Sequence, residues 1–186
     1  MLNEIVEDAK SGMEKSLVAL EIAFKKIRTG RATPSLLDSI KLDYYDKPTP
    51  LSQVASISIE DAKTLAIVPW EKGIVQQIEK SIMESDLGLN PATSGDTIRV
   101  ILPDLTEETR KDFIKKAKAE AENAKVSIRN VRRDGNKAAE QGEKDKDLTE
   151  DDRDSLKEEI QKLTNNYEEK VNEAAKTRES EVMEDA

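Results

Sequence analysis

The sequence predicts an α+β protein: an elongated antiparallel three-helix bundle, with a small domain of short strands and one helix inserted into it. Two observations carry this. Apolar residues recur every three or four positions over the first thirty residues and again beyond Thr106, so three long stretches each present one apolar seam. Between Pro34 and Leu105 the period shortens to two, and all six prolines of the chain fall there. Residues 1–30 and 105–186 are therefore expected to form the bundle and residues 31–104 the inserted head, with joints at 29–34 and 103–105.

In the first stretch Met13, Leu17, Leu20, Phe24 and Ile27 are spaced 4, 3, 4, 3, a seam that one helix cannot bury alone. Thr29-Gly30 is the expected stop, and Pro34 opposes continuation. In the head, Ile40–Tyr44 and Val54–Ile59 alternate as strands do, and Leu65–Val68 and Ile98–Ile101 are further β-like runs. Ile74, Val75, Ile78, Ile82 and Met83 keep helical spacing between them. Thr106 is an N-cap whose following Glu107 and Glu108 suit the positive end of a helix. That helix carries the seam Ala117, Ala121, Ala124, Ile128, Val131, Gly135 and Ala138 and runs to about Gly142. A charged linker over 143–147 is expected to be mobile. Thr149 and Asp152 then form a capping box, and Leu156, Ile160, Leu163, Tyr167, Val171 and Ala174 give the last seam. A head hung on Thr29, Gly30, Arg31 and Pro34 at one side and Pro103, Asp104 and Leu105 at the other can hinge.

Composition removes most catalytic chemistry. With no His and no Cys there is no imidazole base, no thiolate nucleophile and no disulfide. The glycines form neither GxGxxG nor GxxxxGK, so no phosphate-cradling loop and no cofactor is expected. The acidic cluster Glu150-Asp151-Asp152 lacks calcium-loop spacing and reads as a favourable first helical turn. No apolar run is long enough for a membrane span, and the acidic, amphipathic N-terminus is not a signal peptide. A cytoplasmic monomer with no membrane and no DNA partner is expected. Trp70, after Pro69, reads as a packing or interface anchor.

The net charge of −9 is unevenly spread. Residues 34–109 hold six Lys/Arg against thirteen Asp/Glu, net −7, whereas residues 110–133 hold nine against three, net +6. On a helical wheel with Lys125 at zero, Lys118 falls at about 20°, Arg129 and Lys111 at about 40° and Arg132 at about −20°, beside a seam centred at about −90°. One flank of the helix thus carries a line of cations about 30 Å long. Arginine suits bidentate phosphate contact, and the lack of interleaved aromatics points to backbone and shape recognition of folded RNA. A lysine-rich solvated face is the alternative on this pattern alone. Lys25, Lys26, Arg28 and Arg31 add cations to the end of the first helix.

Four segments carry a resemblance. Lys26-Ile27-Arg28-Thr29-Gly30-Arg31-Ala32-Thr33-Pro34-Ser35-Leu36-Leu37, Tyr44-Tyr45-Asp46-Lys47-Pro48-Thr49-Pro50-Leu51, Ser85-Asp86-Leu87-Gly88-Leu89-Asn90-Pro91 and Arg129-Asn130-Val131-Arg132-Arg133-Asp134 resemble signatures of bacterial ribosome-recycling factors, in order along the whole chain. The resemblance implies an L-shaped arrangement of a three-helix bundle and a β/α/β head. It implies binding to the post-termination ribosome at large-subunit ribosomal RNA, across the aminoacyl and peptidyl sites. It implies subunit separation with elongation factor G, which hydrolyses GTP, so that this chain needs no active site. The family's central RNA-contacting arginine falls on Arg132, and its neighbours on Arg28, Arg31, Arg110, Arg129 and Arg133; Lys118 and Lys125 join them from the wheel. The wheel sets Arg110 at the seam's edge, where its stem can cover the bundle. Gly135 departs from the alanine usual in the family, at a cost in helix stability of about 0.5–1 kcal/mol. Competing readings are a non-ribosomal coiled-coil adaptor or cochaperone, and an enzyme in the head working through carboxylates alone.

Overall fold

The computed structural model describes residues 2–85 and 87–184. Met1, Asp185 and Ala186, at the ends of the expected bundle, and Asp86 of the third motif lie outside the described residues. In chain order the elements are α1 (Leu2–Lys25), β1 (Lys41–Tyr44), β2 (Lys47–Pro50), β3 (Ala55–Asp61), β4 (Thr64–Pro69), α2 (Val75–Glu84), β5 (Asn90–Ser94), β6 (Thr97–Ile101), α3 (Glu107–Lys144) and α4 (Glu150–Met183). The chain divides into two compact units. One comprises Met1–Phe24 and Ile114–Glu179, the other Lys25–Phe113 and Ser180–Ala186, so both expected joints fall inside the second.

In the first unit α1, α3 and α4 bury their seams together. Ser16 and Ser127 share a hydroxyl–hydroxyl hydrogen bond of 2.7 Å, and Gly12 faces Val131, so α1 and α3 run antiparallel. The Lys157–Glu140 pair at 2.5 Å and Arg129–Glu168 at 3.1 Å set α3 antiparallel to α4. The Tyr167 hydroxyl donates to Glu14 at 2.8 Å, which aligns α1 with α4. Met13, Leu17, Leu20 and Phe24 are buried, as their spacing requires.

Four details differ from the sequence-based expectation. First, α1 ends at Lys25 although Ile27 stays buried beyond it. Gly30 is not a left-handed helix stop; it is required because a Cβ there would lie 2.4 Å from the Glu184 carbonyl oxygen. Second, the α3 seam leaves Ala138 and continues through Ala139, which is fully buried eleven residues after Ile128. Eleven residues are three turns of a straight helix, so a strict seven-residue pattern drifts off the seam. Third, Thr164 takes the buried place beside half-buried Leu163, because its hydroxyl donates to the Ile160 carbonyl at 2.8 Å. Fourth, the 143–147 linker is an ordered turn: Asp147 and Leu148 amides both donate to the Gly142 carbonyl, and Lys146 is left-handed. The capping box forms as expected, with Thr149 N to Asp152 Oδ2 and Asp152 N to Thr149 Oγ1 both 3.1 Å.

Burial, followed by the Glu14 hydrogen bond, pushes the Tyr167 phenol above its ordinary value. The folded state therefore holds that proton longer than the unfolded chain does. Its stabilising share is complete below pH about 10 and is lost as pH rises toward the folded value. Urea midpoints measured from pH 8 to 11 should fall at the alkaline end, and more shallowly for Tyr167→Phe.

In the second unit β3, β4, β6 and β5 form an antiparallel sheet in that order, and β1 pairs with β2. The helix α2 lays Ile78 and Ile82, both fully buried, into the core built with Leu65, Ile67, Ile98 and Val100. Strands β2 and β5 are absent from the sequence-based expectation because each contains proline. Both are edge strands, where a missing N–H faces no neighbour. Between β1 and β2 the two-residue turn Tyr45-Asp46 has φ of 50° and 63°, the arrangement of a type I′ turn. Tyr45 does not suit it, whereas Asp46 belongs to the residue types that tolerate the left-handed region. Replacing the pair by Asn-Gly should raise the unfolding free energy by about 1 kcal/mol, read by chemical denaturation.

The β3–β4 turn gathers the incoming and outgoing chain. Ala32 N donates to the Ala62 carbonyl at 2.8 Å and Leu102 N to the Lys63 carbonyl at 2.7 Å. The Lys63 ammonium pairs with Asp104, and the Arg28 guanidinium donates to the Pro103 carbonyl.

Candidate nucleic-acid interface

The α3 flank is built by contrast of side-chain size. Ala117, Ala121 and Ala124 are buried and short, which lets the neighbouring helices approach while the long cations stand beside them. Thr106 opens the helix as expected, its Oγ1 accepting from the Thr109 amide at 3.1 Å.

Eight cations are expected from sequence to contact RNA, and the structure sorts them. Lys118, Lys125 and Arg132 carry no ion pair or side-chain hydrogen bond among the described residues. They lie seven residues apart along α3, about 10 Å per step, so they form one line on one flank. Arg129 lies on the same flank but is tied to neighbouring carboxylates. Its Nε donates to Glu168 at 3.1 Å, and Nη1 lies 3.5 Å from Glu122. Exposed Arg133 makes a loose 3.9 Å contact with Asp134.

The other three belong to the second unit. Arg31 pairs with Glu184 at 2.8 Å, both exposed. Arg28 is half-buried, its Nε has no acceptor among the described residues, burial pulls its guanidinium below the ordinary value, and its Nη2 ties residue 28 to the Pro103 carbonyl. Arg110 is half-buried with its Nε out of solvent. The hinge residues Arg31, Pro103 and Asp104 each make one of these ties. Glu122, Glu168 and Glu184 were not legible as partners of these arginines, because two of the three pairings cross between distant stretches of chain.

What the line can do follows from its charge state. An unpaired cation loses no internal bond on meeting a phosphate, whereas Arg129 has to share or release two carboxylates. Among the described residues no group of three or more acidic side chains is placed to hold a metal ion, and no helix is long and apolar enough to cross a membrane.

Comparison with known proteins bears on the whole chain. A family model described as "Ribosome recycling factor" matches residues 20–183. A ribosome-recycling factor of a Marinomonas species is 52% identical over 184 residues, covering 99% of this chain and 100% of the relative. That of Saccharophagus degradans is 53% identical over 184 residues, with the same coverage. A solution structure of the ribosome recycling factor superposes with a TM-score of 0.79 at 35% identity, covering 98% of this chain and 97% of the other. A second structure aligns with a TM-score of 0.70 at 38% identity over 99% and 100% of the two chains. It is described as models for the T. thermophilus ribosome recycling factor and the E. coli elongation factor G bound to the E. coli post-termination complex.

Proposed function

The chain belongs to the ribosome recycling factor family, and from that premise we propose that it binds the post-termination ribosome at large-subunit ribosomal RNA across the aminoacyl and peptidyl sites. With elongation factor G and GTP it splits the ribosome into subunits, freeing messenger and transfer RNA for a new round of translation in the cytoplasm. It acts without catalysis of its own, the GTP being hydrolysed by the partner factor. The observation that carries the reading is the line Lys118, Lys125 and Arg132, three cations on one rigid helix with no carboxylate to satisfy them among the described residues. Such a line fits regularly spaced phosphates. Arg129 and Arg133 flank it, and Arg28, Arg31 and Arg110 extend the basic surface only where their own ties can be exchanged for phosphate.

The joints at 29–34 and 103–105 are the pivot in this proposal, with Thr29, Gly30, Arg31 and Pro34 on one side and Pro103, Asp104 and Leu105 on the other. Around these joints the second unit carries the Arg28–Pro103, Lys63–Asp104 and Arg31–Glu184 contacts, exchangeable ties within that unit which a turn at the joints would have to release. The test is light scattering of vacant 70S ribosomes mixed with this chain, elongation factor G and GTP. A scattering drop that needs all three components supports the reading. Binding that ignores added salt, with no drop, overturns it in favour of an adaptor whose cations serve only solubility.

A further inference from the structure

Aromatic residues are scarce, only 3% of the chain, yet two of the six stand in solvent in the second unit. Tyr45 is 77% exposed and Trp70 is 67% exposed. Neither packs the core, so the packing role open to Trp70 from sequence does not apply. Both belong to one local construction. The Tyr45 ring lies edge-on to Tyr44, centroids 4.5 Å apart. The Tyr44 hydroxyl donates to Glu71 at 2.5 Å, and Glu71 directly follows Trp70. The Gln77 amide donates to the Asp43 carbonyl, tying the same turn to α2.

The turn is also strained. A bulky aromatic at φ 50° is in the left-handed region that disfavours such side chains, and such strain persists where the position is used. Exposed Trp and Tyr held rigid are what protein interfaces use as anchors, since they bury large area while losing little side-chain freedom.

We propose that Tyr45 and Trp70 form a docking surface for a protein partner, one that offers an apolar cleft rimmed by Lys or Arg. This rests on the recycling reading only for the system in which the partner is sought. Charge selects the partner class. Around the aromatics lie the carboxylates Asp43, Asp46, Glu71 and Asp96 against Lys47 and Lys72, and Lys72 is engaged by Asp96 at 3.8 Å. The surrounding segment, residues 34–109, is net −7. A nucleic-acid strand brought to stack on these rings meets repulsion, whereas a basic protein surface is attracted.

The experiment places the photoreactive residue in the full chain, as Trp70→p-benzoylphenylalanine, with purified ribosomes, elongation factor G and a non-hydrolysable GTP analogue. The expected result is a covalent adduct to one protein component. Excess wild type should suppress it. An adduct to ribosomal RNA alone, or no adduct, overturns the proposal. In parallel, Trp70→Ser should slow subunit splitting about tenfold with an unchanged melting curve, and Trp70→Phe should restore most of the rate. Splitting by Trp70→Ser at the wild-type rate overturns it as well. If wild type itself does not split ribosomes, the recycling reading fails, while the cross-link still decides the docking surface.

Discussion

Arg132→Ala should weaken binding to vacant ribosomes by roughly ten- to a hundredfold, the loss of one charge-assisted contact worth about 1.5–3 kcal/mol. The slope of log affinity against log salt should fall by about one, because one fewer counterion is released. The structure makes this more than a charge count. Arg132 has no internal carboxylate among the described residues, so its whole interaction is available to a phosphate. Arg129→Ala should cost less. That guanidinium already spends itself on Glu168 and Glu122, and its removal also disturbs the α3–α4 contact. Affinity measured for both variants at several salt concentrations separates them. Equal losses, or an unchanged slope for Arg132→Ala, would sink the assignment of the line as the phosphate-contacting surface.

The largest stability effect is expected where α3 meets α4. Ile160 is fully buried, and truncation to alanine should cost about 2–5 kcal/mol in urea unfolding. Its neighbour explains why glycine stands at position 135. A Cβ there would lie 2.9 Å from the Ile160 Cδ1 and under 4 Å from two more of its atoms. Gly135→Ala gains helix propensity of about 0.5–1 kcal/mol but drives a methyl into a packed side chain, a change of about 1–3 kcal/mol. A net loss of about 1 kcal/mol is expected. Ile160→Val removes the Cδ1 that clashes, so Gly135→Ala combined with Ile160→Val should be more stable than the two single losses sum to. Strict additivity would mean that the notch at Gly135 is not filled by Ile160. Non-additivity would make the glycine a packing device, its cost in helix stability offset by the Ile160 side chain that fits against it.

The helices were legible because apolar spacing and capping are local: Thr106, Thr149 and Asp152 each do what their positions require. Strands β2 and β5 were not, since proline at 48, 50 and 91 argues against a strand until the edge position is known. Likewise the wheel placed Arg129 and Arg132 on one flank. It could not show that Glu168, 39 residues further on, holds the first and leaves the second. Trp70 reads from sequence as a packing or interface anchor, and only the folded head shows which, by leaving it exposed; the nearby β1–β2 turn is illegible because Tyr45 violates the residue preferences by which turns are recognised.

The gathering of the chain at the β3–β4 turn also bears on how the protein is made. Arg28 and Pro103 are 75 positions apart, and closing a loop of that length costs roughly 4 kcal/mol of chain entropy. The second unit is built almost wholly from residues 25–113, so its core can assemble while α3 is still being synthesised. By then the closure has been met from the head's own hydrophobic burial. Helices α1 and α3, which continue from the two clamped points, begin their pairing as neighbours, and the late-arriving α4 completes a site already in place. A variant whose head core fails to form would have to find that pairing across an open loop, so its defect would show in the rate of folding during translation before it showed in the stability of the finished protein.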